Sequence, residues 1–307
     1  MWINKVLYKR ILEKKKRLSS LRPFDKYQMS IIKEQMDVEY IYNSTTIEGN
    51  TLTLNETKLV LEQGITISGK SLREHLDIIN QKDTIRWLED FVKSKKQNIA
   101  EADILQLHRI TLRGISDYWA GRYKTSQNRI IGSKLKTTPP YRVKSEIENF
   151  IYNLNKNKDK LNNIELSAFA HHEIERIHPF IDGNGRTARL VTNLILMKHG
   201  YLPIIIQNSE RKKYFNALEK AHFGDMKPFA NFIARNVERS LIIVLNALIP
   251  TTKDNELIAL SELAKETKYS QEYLSLRARQ GELAAVKILG VWHTSRDDLR
   301  NYIKSLK

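Results

Sequence analysis

The chain has 307 residues, 41% of them hydrophobic and 28% charged, with a net charge of +16 and a pI near 9.7. That length buries a sizeable core in one large or two modest domains, and the composition is that of an ordinary soluble globular protein. The absence of cysteine excludes disulfides, thiol catalysis and zinc–thiolate centres and suits a reducing cytoplasm; the positive charge favours anionic partners without choosing among nucleotides, nucleic acids and acidic proteins.

Taken in order, the stretch from Met1 to Arg10 lacks an uninterrupted apolar run, so no secretory signal is expected. The most apolar run, Leu241 to Ile249, falls short of the roughly 20 residues that span a bilayer, and no membrane association is expected. Residues 1–40 pattern as basic helix, with Lys14, Lys15, Lys16 and Arg17 on a solvated face; Pro23 breaks it before a second helix from Tyr27 to Asn43. Ser44 to Asn50 is a helix end, with Gly49 as its stop signal and Glu48 in the last turn. The helix dipole disfavours negative charge there, so Glu48 either has a distant partner or is simply solvated. Residues 54–95 resume helical periodicity around an interruption at 64–71, with His75 structural and Lys93 to Gln97 a surface connection.

Another helix starts at Ile104 and includes Leu105, Leu107, His108 and Ile110. Arg129 to Ser133 and Thr137 to Tyr141, rich in β-branched residues with Gly132 between them and Pro139-Pro140 near the end, predict a short β-hairpin that must pack on something else. Residues 164–177 form a helix with His171, His172, Glu173 and Glu175. Arg176 stands where the zinc-protease order His-Glu-x-x-His needs its second histidine, so no dedicated zinc site is expected.

The stretch His178-Pro179-Phe180-Ile181-Asp182-Gly183-Asn184-Gly185-Arg186-Thr187-Ala188-Arg189 concentrates the chemistry. Pro179 ends the preceding helix and leaves His178, whose ordinary pKa lies near neutrality, at the break. Gly183 and Gly185 permit a turn of positive φ whose N–H groups point at an anion, and a buried helix from Thr187 adds its N-terminal dipole. Arg186 and Arg189 lie three apart and can fork onto phosphate oxygens. Asp182 is a hard oxygen donor suited to Mg²⁺ or Mn²⁺.

Beyond that helix, the adjacent aromatics Tyr214 and Phe215 fit an ordinary core. After the polar break at Pro250 to Asn255, two short helices capped by Ser261 and Ser270, a hairpin over 286–294 and a last helix capped by Ser295 resemble a winged helix-turn-helix of the excisionase type. From Thr251 onward ten Lys or Arg face eight Asp or Glu. A net charge of about +2 is weak for phosphate neutralisation, so DNA binding through Arg277 and Arg279 competes evenly with a protein-interaction role.

The twelve-residue stretch matches the Fic motif His-Pro-Phe-x-Asp/Glu-Gly-Asn-Gly/Lys-Arg-x-x-Arg at every fixed position. The resemblance implies a mainly α fold: a Fic-type helical bundle with a short β-hairpin flap, here followed by the small winged module. The expected division is 1–95 as an N-terminal helical region, 96–250 as the Fic core and 251–307 as the tail. The implied activity is AMP transfer from ATP, with Mg²⁺ or Mn²⁺, to a hydroxyl of a target protein in the cytoplasm. His178 would be the base, Asp182 the metal ligand, and Asp182, Gly183, Asn184, Gly185, Arg186, Thr187 and Arg189 the phosphate site. Ile131 and Gly132 of the flap and the aromatic pair Tyr214 and Phe215 would complete nucleotide binding, and residues 129–140 would dock the target. Some Fic relatives carry asparagine where His222 stands, which leaves the preferred base open. Ser44-x-x-x-Glu48-Gly49 matches the family's inhibitory helix, in which the glutamate pairs with the second arginine of the motif, here Arg189. Removal of AMP at the same site, a nucleotide-sensing DNA-binding regulator, and a homodimer remain as alternatives.

Overall fold

The computed structural model describes residues 1–130, 135–157, 160–288 and 290–306. The chain is mainly helical: α1 (Lys5–Ser20), α2 (Lys26–Thr46), α3 (Leu54–Gln63), α4 (Leu72–Lys93), α5 (Glu101–Leu112), α6 (Pro140–Asn157), α7 (Asn163–Ile177), α8 (Asn184–Lys198), α9 (Arg211–His222), α10 (Met226–Leu248), α11 (Leu260–Leu263), α12 (Gln271–Gln280) and α13 (Arg296–Ser305). Three short strands, β1 (Ile258–Ala259), β2 (Val286–Ile288) and β3 (Val291–Thr294), form one antiparallel sheet in the order β1-β3-β2. Among the described residues no helix is long and apolar enough to cross a membrane.

Two compact units divide the chain. One comprises Met1–Trp2 and Lys33–Ile233, and so runs through the boundary expected at residue 95; the other joins Ile3–Ile32 to Ala234–Lys307. In the first unit α8 is the central element. Asn184, Arg186 and every residue from Thr187 to Leu196 are buried, and a helix enclosed on all sides needs partners for its polar groups as well as its apolar ones. Leu190, Val191, Leu194 and Ile195 supply the apolar contacts, each fully buried side chain of this kind contributing about 1.5–3 kcal/mol. Asn193 is satisfied by both backbone groups of Ile204, at 2.8 and 3.1 Å. α7 lies along α8, α5 and α4 also touch it, and α6 and α9 pack on α7. Capping boxes, Thr53 with Glu56 and Ser71 with Glu74, set the starts of α3 and α4.

The hairpin expected over 129–140 is not a ladder where it is described. Residues 129–130 and 135–139 carry no strand, and Pro140 opens α6 instead, the first helical position being where a missing N–H does no harm. Side chains join the two limbs: Thr137 Oγ1 donates to the Asn128 carbonyl at 2.8 Å, and Gln127 Nε2 donates to Thr137 Oγ1 at 2.7 Å.

In the second unit, Leu260, Leu263, Leu274, Ala278, Leu283, Leu299 and Tyr302 form a core. Ser270 and Ser295 cap α12 and α13 as expected. Ser261 caps nothing: α11 begins at Leu260 straight from β1, whose pairing with β3 sets the chain direction there. The helix α1 also belongs to this unit. Arg10 forks onto Glu238 with two 2.8 Å bonds and donates to the carbonyls of Gly281 and Glu282. Lys14, expected on the solvated face, pairs with Asp298 at 3.0 Å.

Candidate active site

The site is built where α7 ends and α8 begins, within the first unit. His178 caps α7 in the left-handed conformation, φ 50° and ψ 59°, its N–H still bonded to Ile174 O at 2.8 Å. Pro179 cannot continue the helix. Gly183, at φ 77°, turns the chain into α8, which therefore starts at Asn184, three residues before the expected Thr187. Gly185 is an ordinary residue of the first helical turn, without the positive φ expected of it.

The loop between these points is fastened at every step. Asn184 accepts from Phe180 N–H at 2.9 Å and donates to Phe180 O at 2.8 Å. Asn128 donates to the same carbonyl, and Lys124 N–H donates to Pro179 O at 2.9 Å. Thr187 Oγ1 donates to Gly183 O. His108 of α5 stacks on Phe180 with ring centroids 3.6 Å apart. Its Nδ1 accepts from Gly121 N–H at 3.0 Å, which leaves the proton on Nε2 to donate to Asp182 O at 3.0 Å. Burial pushes the His108 imidazole down to about 4, so this neutral tautomer persists at neutral pH.

The first N–H groups of α8 have no intrahelical acceptors, and Gly183 offers no side-chain cap. The carboxylate of Glu48 lies over this end. A Cβ at Gly185 would collide with Glu48 Oε1 and come within 3.1 Å of Arg189 Nη1, so the missing side chain is what admits the carboxylate. Glu48 sits in the tight turn that follows α2, with its N–H on Thr45 O and the Gly49 N–H on Thr46 O; Gly49 takes φ 102°. Glu48 Oε1 pairs with Arg189 Nη2 at 2.8 Å. Arg189 also donates from Nε to Ser44 Oγ at 3.0 Å and from Nη2 to Ser44 O at 2.8 Å. Its side chain is 3% exposed while that of Glu48 is 37% exposed. Burial opposes the arginine's charge, but Glu48, Tyr214 and Tyr40 more than offset it and hold the guanidinium above its ordinary value. Nη1 is buried with no hydrogen-bond partner.

Arg186 is held differently. Its guanidinium binds Asp77 of α4 and lies 3.3 Å from Asp182 Oδ1. Arg73, also on α4, pairs with the other oxygen of Asp182, and Gly183 N–H donates to Oδ1 at 2.6 Å. Burial raises the Asp182 carboxyl, but Arg186, Gly183 N–H and Arg73 outweigh it and keep the group below its ordinary value. With a side chain 44% exposed, Asp182 is an ionised, reachable oxygen donor. It fits Mg²⁺ or Mn²⁺ of the kind that keeps most of its waters and shares phosphates with one carboxylate. Among the described residues no group of three or more His, Asp or Glu side chains could hold a metal alone.

Other expected site residues fall elsewhere. Ile131 and Gly132 lie outside the described residues. Tyr214 is wholly buried, its hydroxyl 2.8 Å from His171 Nε2 and its ring against Phe229 and Phe232, so it has no face to offer a base. Phe215 is half-buried under the Arg211 guanidinium. In the second unit Arg277 pairs with Glu282 at 3.0 Å and covers Tyr273, and Arg279 donates to Ser275 O within its own helix. His108, Asn128, Arg73 and Asp77 join the site without a signal in the sequence. They act through contacts between distant elements, and nothing in their local sequence marks them.

Residues 98–196 match the Fic/DOC family model. Protein adenylyltransferase fic-1 of Caenorhabditis elegans is 36% identical over 245 residues, 79% of this chain and 48% of that protein. The chain therefore spans about half the length of the adenylyltransferases it matches. The solved C. elegans Fic-1 fragment superposes with a TM-score of 0.73 at 32% identity, over 79% of this chain and 72% of that one. A Fic family protein from Desulfovibrio desulfuricans shares the fold over 94% of both chains, with a TM-score of 0.65 and 24% identity.

Proposed function

The chain belongs to the Fic/DOC family, and we propose that it is an autoinhibited protein adenylyltransferase, moving AMP from ATP to a Ser, Thr or Tyr hydroxyl of a target protein. The observation that carries this reading is an anion site at the start of α8 that the chain's own Glu48 already fills. Helix-end N–H groups without a side-chain cap, a helix dipole and a buried arginine with a spare nitrogen suit a polyphosphate.

On this reading His178 takes the proton of the target hydroxyl, whose oxygen forms a bond to the α-phosphorus as the bond to pyrophosphate breaks. The N–H groups of Asn184, Gly185 and Arg186 receive phosphate oxygens, and Arg189 holds the γ-phosphate once Glu48 has left it. Arg186 fixes Asp182, and Mg²⁺ or Mn²⁺ bound there would neutralise charge on the α- and β-phosphates. General-base catalysis contributes about 10²–10⁴-fold, with positioning and charge stabilisation supplying the rest. Residues 129–140 dock the target's extended backbone, a mode that reads little side-chain chemistry.

The test is incubation with α-labelled ATP, metal and a cell lysate, followed by mass spectrometry for added AMP. Labelled protein with the wild type or Glu48→Gly, and none with His178→Ala, is the expected result. Equal labelling by all three sinks the assignment, and loss of AMP from a pre-labelled target would favour the reverse reaction at the same site.

A further inference from the structure

Glu175 has no place in the scheme above, yet it is a buried carboxylate one helical turn before the base. Only 7% of its side chain is exposed, and one oxygen lies 3.6 Å from His178 Nδ1. It makes no other hydrogen bond or ion pair among the described residues. His178 Nδ1 is itself buried and otherwise unpartnered. The two lie three residues apart at the end of α7, a spacing that makes side chains neighbours, and His178 takes the left-handed backbone there. A side chain with a Cβ adopts that backbone at a cost of about 1–2 kcal/mol, and such strain concentrates at functional positions.

We propose that Glu175 is the positioning residue for His178, accepting from Nδ1–H so that Nε2 keeps its lone pair toward the target hydroxyl. The inference rests on the transferase reading for its consequence and on the Glu175–His178 geometry for its substance. A carboxylate behind an imidazole selects one neutral tautomer and stabilises the imidazolium that forms when the base takes its proton. At 3.6 Å the pair is longer than a hydrogen bond, as catalytic contacts often are before substrate binds.

The carboxylate must be ionised to act so, and its surroundings favour that form. Burial raises Glu175, but the contact with His178 and the charge of Arg189 pull the other way, and the group lies below its ordinary value. The other titratable groups that face it are Tyr214 and His222 of α9; Glu48 faces Arg189 and Tyr214 from the turn after α2. Burial drives His171 to about 3 and His222 to about 4, so both are neutral at neutral pH and neither competes with His178 for the charge.

The test reads the His178 tautomer by ¹⁵N NMR at alkaline pH and, separately, the pH profile of AMP transfer in the Glu48→Gly background. Wild type is expected to show Nδ1–H. Glu175→Gln is expected to move His178 toward Nε2–H, lower kcat about 10- to 100-fold with KM for ATP nearly unchanged, and shift the acid limb of the profile to lower pH. Glu175→Asp is expected to restore part of the rate. Nε2–H in the wild type overturns the proposal, even if Glu175→Gln fails to fold. A folded Glu175→Gln with an unmoved acid limb and tautomer overturns it as well. Absence of transfer from every protein would refute the transferase reading, while the tautomer still decides the role of Glu175.

Discussion

Arg186 and Arg189 stand three residues apart on one turn of one buried helix, and their surroundings differ in kind. Arg186 binds a carboxylate that is itself nearly buried, Asp77 with a side chain 13% exposed, supplied by α4. Arg189 binds Glu48, a side chain 37% exposed at the tip of a turn; each guanidinium keeps one buried nitrogen unpartnered, Nε in Arg186 and Nη1 in Arg189. An ion pair enclosed on both sides is strongly destabilising to break. A pair with one solvated member can be exchanged, because the leaving carboxylate returns to water and an incoming anion can replace it. One arginine thus fastens the site, and the other is available to a ligand.

Substitutions that separate the two test this contrast. The largest effect is expected from Asp77→Asn, which leaves Arg186 buried with only Asp182 at 3.3 Å. Stability should fall by about 3 kcal/mol or more, read as a lower urea midpoint. Glu48→Gly should barely change that midpoint and instead raise AMP incorporation about a hundredfold, the equivalent of ~2.7 kcal/mol for a charge-assisted pair. If Glu48→Gly destabilises as much as Asp77→Asn, the distinction between the arginines is wrong. Ser44→Ala removes one of the two Ser44 contacts to Arg189. It should loosen the inhibitory pair by about 1.5 kcal/mol, a rise in activity of roughly tenfold. Per pH unit and per residue, the smallest effect comes from His108, His171 and His222, which burial holds at about 4, 3 and 4, below the ordinary 6.5. Unfolding lets them bind protons that the native state refuses. Their contribution is therefore complete above pH 6.5 and lost as pH falls toward 4, by at most about 1.4 kcal/mol per pH unit for each histidine. Thermal unfolding between pH 7 and 4 checks it, and replacing His222 should flatten the slope.

How much of this was legible in the sequence depends on how far apart the partners lie. The residues from His178 to Arg189 are contiguous, and turn chemistry and helix-end electrostatics act within a few residues, so that part of the site could be read directly. Sequence signals put the start of α8 late, because a helix with no side-chain cap and an asparagine turned back onto Phe180 carries no start signal. Glu48 and Arg189 are 141 positions apart; the helix dipole marked Glu48 as odd, and only the family resemblance supplied its partner. Glu175 reads from sequence as one more residue of a helix, because neither its burial nor its distance to His178 is stated locally. Arg10 with Glu238, and β1 with β3, depend on segments that meet only in the folded second unit.

That second unit has a consequence for how the chain is made. Its residues Ile3–Ile32 leave the ribosome long before Ala234–Lys307 do. At synthesis rates of about 5–20 residues per second, the interval of roughly 200 residues between them takes on the order of 10–40 s. Throughout that time α1 has neither Glu238 nor the carbonyls of Gly281 and Glu282 to receive Arg10, and Leu7, Ile11 and Leu18, buried in the finished protein, must wait for their cover. The first unit, Lys33–Ile233 apart from two residues at the start, can complete itself in the meantime. A nascent chain with residues up to 233 outside the ribosome is therefore expected to hold a protease-resistant first unit with an α1 that is still cleavable.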